Sequence, residues 1–218
     1  MGRNLLSTIK TSAAVLGFEL IILFVALPTF LSAPVPFPLR AAAMFSALVY
    51  IAIVSIRKKL ISRDLFRFAG TDRSHWRGIL GRFGAFVVAS TIAVALWRPQ
   101  LLFSVVRDNP VLWLTMLIVY CFFSVLPQVL VFRAFFFARY MPLFGSRGLA
   151  LLVSAVVFAW AHIVIAHPVV FVLTFCGGVI FSRTYLATRS VSVATIEHAL
   201  YGFWLFTVGL GPIFAFPG

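Results

Sequence analysis

Seven apolar runs occupy positions 12–32, 39–56, 81–98, 111–138, 148–166, 168–186 and 191–210. Each is close to the roughly 20 residues an α-helix needs to cross the hydrocarbon of a bilayer. No water is available there, so every peptide group must be hydrogen-bonded inside its own helix. The pattern predicts an all-α, polytopic transmembrane helical bundle of about seven spans, with six and eight as the limits. A single membrane domain takes up 1–218, and no internal repeat or low-complexity tract divides it. The fourth run is long and contains Pro127, which lacks a backbone donor and should kink a helix. It reads either as one tilted helix or as two shorter pieces.

Composition removes the soluble alternative. Hydrophobic residues make up 62% of the chain and charged residues 11%, with a mean hydropathy of +1.09. Ordinary soluble domains hold about 45–50% apolar residues. Cys121 and Cys176 both lie inside apolar runs, so no disulfide framework is expected.

Eighteen Lys and Arg against five Asp and Glu give a net charge of +13. In a soluble domain that excess would suggest nucleic acid. Here the cations stand between the apolar runs, which excludes nucleic acid as a partner and points to membrane lipids, with the arginines near anionic headgroups. If the N-terminus is inside, 15 of the 18 cations fall on the inner side, and only Arg40, Arg98 and Arg107 fall outside. Such a bias is the expected signature of orientation. The basic N-terminal stretch runs into an apolar segment without a small-residue cleavage site, so it reads as a retained first span. The segment 57–82 is a basic cytoplasmic loop holding eight cations. Leu60, Ile61, Leu65 and Phe68 interleave with them, fitting either a helix in the headgroup plane or a solvated loop.

Ionisable side chains inside apolar runs are costly, and each is a candidate for function. They are Glu19, Arg133, His162, His167, Glu197 and His198. Glu19 is expected to pair with an arginine or to sit protonated in a helix contact. His167, before Pro168, is expected in a solvated outer turn. At 1.5 Å per residue, Gln128 lies roughly 16 Å above the inner boundary, His198 roughly 14 Å and His162 roughly 22 Å. Three helices thus carry polar groups into one layer, where facing each other satisfies them most cheaply.

The runs Ser124-Val-Leu-Pro-Gln128-Val-Leu-Val-Phe-Arg133, Phe158-Ala-Trp-Ala-His162 and Ile196-Glu-His198-Ala-Leu-Tyr resemble the CPBP family. These are the CAAX-protease and bacteriocin-processing (Abi) intramembrane endopeptidases, with motifs Glu-Glu-x-x-x-Arg, Phe-x-x-x-His and His-x-x-x-Asn. The similarity covers a core at 110–210. It implies a glutamate-dependent peptidase acting on hydrophobic or lipidated peptides, in a bacterial inner membrane. A glutamate would activate water, and His162 and His198 would meet the developing oxyanion. This chain departs from the pattern: Gln128 and Val129 stand where the glutamate pair would be, and Gly202 stands at the final Asn. Gln128 can orient water but cannot take its proton. Glu197, His162 or His198 remain as substitute bases. On residue type alone, His162, His198 and Glu197 are candidates for a divalent metal. No other cofactor is implied. Arg133, without a glutamate at 129, is expected to bond to backbone carbonyls or to Glu197. The alternative to an enzyme is a non-catalytic binding or immunity-type protein on the same scaffold.

Overall fold

The computed structural model describes residues 12–68 and 71–214. Seven helices are long and apolar enough to cross a membrane: α1 Ala13–Ser32, α2 Phe37–Arg57, α3 Arg73–Trp97, α4 Pro110–Leu143, α5 Arg147–Ile165, α6 Pro168–Thr188 and α7 Val191–Phe214. The described residues contain no strand. Side-chain caps open five of the seven, from Ser12, Asp72, Asn109, Ser146 and Ser190, each accepting from a backbone N–H of the first turn.

The third span begins earlier than its apolar run. Asp72 accepts the His75 amide at 3.0 Å, and the helix starts at Arg73 rather than near 81. Its first turns are rich in arginine, so hydropathy hides them while the cap reveals them. The described residues of the stretch between α2 and α3 form neither a surface helix nor a free loop. A 3-10 turn at Arg63–Phe66 is tied to the start of α7, where the Ser190 and Ser192 hydroxyls donate to the Arg67 and Phe66 carbonyls at 2.8 and 2.7 Å. Leu60, Ile61 and Leu65 pack against the core, whereas Phe68 is exposed.

The fourth run is one continuous helix of 34 residues, about 50 Å long at ordinary rise. Its hydrogen bonding widens to π turns at Tyr120–Val125 and Leu130–Phe135, on either side of Pro127. The missing proline donor is thus absorbed by local widening rather than by a break.

α6 and α7 are the most enclosed spans, and α2 and α4 the least. The α5–α6 contact is close because Gly178 has no side chain: a Cβ there would come within 2.8 Å of the Ala155 Cα. Small residues at such a crossing maximise backbone packing where no hydrophobic drive exists between helices. Phe18, Phe45, Leu96 and Phe123 face outward, fully consistent with a lipid-facing surface.

Glu19 resolves to the arginine alternative. Its carboxylate accepts two bonds from Arg139, at 3.0 and 2.7 Å, and one each from the Tyr140 and Tyr50 hydroxyls at 2.8 and 3.0 Å. The four bonds join α1, α2 and α4. His75, expected in the loop, lies in the first turn of α3. His167 caps α6 as a half-buried residue rather than a fully solvated one.

Candidate active site

α4, α5, α6 and α7 enclose a cavity of about 310 Å³, with Phe86 of α3 completing its wall. Gln128, His162 and His198, expected at similar depth, all line it. Tyr120, Ser124, Thr174, Cys176 and Gly202 line it as well.

His162 stands just past the regular part of α5, where the backbone tightens into a 3-10 turn. Its Nδ1 is 2.8 Å from the Phe158 carbonyl oxygen. A carbonyl only accepts, so Nδ1 carries the proton, and in the neutral ring Nε2 keeps its lone pair. His198, on α7, stacks on Phe181 with centroids 4.4 Å apart and meets the edge of Phe158 at 5.6 Å. Phe158 therefore touches both histidines, since its centroid is 4.9 Å from that of His162.

Arg133 lies behind this wall. It is 1% exposed, and its guanidinium sits over the Phe158 ring at 4.8 Å. Nη1 donates to the Phe132 carbonyl at 2.9 Å and to the Ser154 hydroxyl at 3.0 Å. The expected backbone partner is present. The other expected partner, Glu197, is not. Glu197 is wholly buried but accepts from Arg82 of α3 at 2.8 Å, and it forms no part of the cavity wall. Neighbouring residues on a helix diverge by about 100°, and His198 holds the inward direction.

Glu197 thus points away from both histidines' cavity. It cannot serve as the substitute base in the cavity, and the metal set of His162, His198 and Glu197 is not assembled. Among the described residues, no three His, Cys, Asp or Glu side chains converge as metal ligands.

Gln128 donates from Nε2 to the Ser124 hydroxyl at 2.9 Å, one turn earlier. Its Oε1 is buried without a partner among the described residues. Val129 is 1% exposed, within the apolar core. The π turn between 130 and 135 matters here, because an i to i+5 turn brings Gln128 and Arg133 closer to one face than α-helical spacing does.

Gly202 is the least expected feature. A Cβ at this position would overlap the Tyr120 hydroxyl and its ring. The volume that a side chain at 202 would take is filled from α4 by a phenol, which brings a hydroxyl to the cavity one turn beyond His198. Nothing in an apolar run marks a tyrosine for such a place. Arg82 was missed because its helix start was hidden, although the Asp72 cap could have exposed it.

Residues 109–204 match a family model described as Type II CAAX prenyl endopeptidase Rce1-like. The matched segment runs from the cap of α4 into α7 and holds Gln128, Arg133, His162, His198 and Gly202. No curated protein and no solved structure matches the chain.

Proposed function

We propose, for a chain whose residues 109–204 match the Rce1-like CAAX prenyl endopeptidase family, that the cavity receives a hydrophobic or lipidated peptide while the general-base step of hydrolysis is disabled. One observation carries this reading: among the described residues, no carboxylate lines the cavity, while Gln128, which stands where the family resemblance puts a glutamate, does. Hydrolysis needs a group that removes a proton from water as it attacks the scissile carbonyl, and donors that meet the new oxyanion. An amide cannot do the first. His198 and the Tyr120 hydroxyl, which line the cavity, can supply the second. The unpartnered Oε1 of Gln128 supports a binding role, since a buried acceptor gains from a ligand N–H.

The second reading is slow turnover with a histidine as base. The tautomer of His162 favours it, because Nε2 of the neutral ring can accept a proton.

The localisation belongs to the same proposal: a multi-pass protein of the bacterial inner membrane with its N-terminus inside. The positive bias supports this orientation even when Arg82 and Arg133 are set aside as intramembrane cations. Arg3 and Lys10 lie outside the described residues.

The test returns the base. Gln128→Glu supplies a carboxylate, and Val129→Glu gives Arg133 a partner so that it does not capture the new base. Restored general-base catalysis is expected to raise cleavage of a prenylated peptide by on the order of 10²–10⁴-fold over the parent, with His162→Ala removing the gain. A parent already as active as the double variant overturns the disabled-base reading and favours the histidine.

A further inference from the structure

Apart from the central cavity, a recess of about 210 Å³ lies between α3 and α6, lined among others by Ser74, His75, Arg82, Arg183 and Thr184. It extends from the first turn of α3 at Ser74 to Arg82. Arg82 is nine residues into its helix, roughly 14 Å along the axis, and Arg183 is five residues from the end of α6, roughly 8 Å. Both cations therefore lie below the ends of their helices. Arg82 commits one edge to Glu197, on its core side, and reaches Thr184 Oγ1 at 3.4 Å, yet its side chain stays 43% exposed. Arg183 is exposed and has no acceptor among the described residues. The nearby carboxylate is already engaged: Asp72 accepts from the Ser74 hydroxyl at 2.7 Å and from His75. Two guanidinium groups thus line one recess, and Glu197, buried on the core side of Arg82, is no part of its wall. At such depth an uncovered cation needs an anion or water.

We propose that this recess is a phosphate-anion site, in which one tetrahedral oxyanion bridges Arg82 and Arg183. Planar guanidinium forks suit phosphate oxygens, and bonds between ionised partners are the strong ones. The same chemistry is offered by the headgroup of an anionic phospholipid and by free phosphate. The site is independent of the peptide cavity and of whether that cavity turns over.

The test uses the full chain, exchanged extensively into neutral detergent, and reads the thermal midpoint against added phosphatidylglycerol, phosphatidylcholine or inorganic phosphate. The expected result is a saturable rise with an anionic ligand. Arg183→Gln should weaken it at least about tenfold, as the loss of one charge-assisted contact implies. Arg147→Gln, removing an exposed cation elsewhere, should leave it unchanged. A response to phosphatidylglycerol alone identifies a lipid headgroup as the source, and an equal Arg183-dependent response to inorganic phosphate identifies the free anion. The proposal fails if neither anion shifts the wild-type midpoint. It also fails if phosphatidylcholine acts as well as phosphatidylglycerol, or if Arg147→Gln weakens the response as much as Arg183→Gln.

Discussion

Position 202 has no room for even a methyl group, because the Tyr120 hydroxyl and ring already fill it. This couples two residues on different helices, and the coupling can be measured. Gly202→Ala should lower stability by about 1–3 kcal/mol, the usual range for an overfilled core. Tyr120→Phe removes only the hydroxyl and leaves the ring in the way, so Gly202→Ala/Tyr120→Phe should stay destabilised. Added to Tyr120→Ala, by contrast, Gly202→Ala should cost little, because the ring that bars the methyl group is gone. Thermal unfolding of these proteins in one detergent decides it, and recovery with phenylalanine would show that only the oxygen obstructs. An asparagine at 202, the residue that the family resemblance implies, is therefore barred unless Tyr120 changes first. At the same scale, the depth estimate recovered Gln128, His162 and His198 because each is a polar residue in an apolar run. It could not recover Tyr120, whose ring looks like any other apolar filling. Glu197, read from residue type as a base or metal ligand, faces elsewhere, since the sequence position of a carboxylate does not say which neighbouring helix holds its cation.

Elements are joined by a few polar clamps as well as by apolar packing. Glu19 gathers Arg139, Tyr140 and Tyr50, with its side chain 7% and that of Arg139 11% exposed. Removing one partner of a buried pair strands the other charge. Glu19→Leu is therefore expected to lower stability by about 3–5 kcal/mol, and Glu19→Leu/Arg139→Leu to regain part of it. Equal loss in the single and double variants would show that the tyrosine bonds, not the ion pair, hold α1 to α4. The start of α3 offers a pH test. The Ser74 hydroxyl, the His75 amide and the His75 ring hold the Asp72 carboxyl well below its ordinary value. A carboxyl lowered by folding stabilises fully above its unfolded pKa, and the contribution disappears as pH falls through the lowered folded value. Amides in the first turn of α3 should thus exchange faster with acidification, relative to a mid-helix reference. Asp72→Asn should abolish that dependence while keeping the cap, because asparagine caps without titrating. Unchanged acid sensitivity in the Asn variant would place the titrating group elsewhere. The existence of all seven helices was legible in hydropathy, since length and apolarity alone define a span. Their ends were legible only through caps, and the π turns of α4 through no local signal except Pro127.

At the scale of the molecule, an odd number of spans fixes the relation between the two ends of the bundle, and the charge bias selects one of two orientations. The α1–α2 connection should then lie outside and the α2–α3 connection inside. Pro34 and Ser62 are exposed in these two connections and serve as reporters. Cys121 and Cys176 must first be replaced, because Cys176 is exposed and lines the cavity. In intact cells an impermeant thiol reagent should label Pro34→Cys and spare Ser62→Cys, with both labelled after the membrane is opened. The reverse pattern inverts the bundle and turns most of the arginines outward, contrary to the positive-inside rule. It would also move the recess at Arg82 and Arg183 to the outer surface, away from the leaflet whose anionic lipids draw basic segments. Labelling of both positions in intact cells would deny a full crossing by α2, one of the two least enclosed spans, and with it the parity on which the orientation rests.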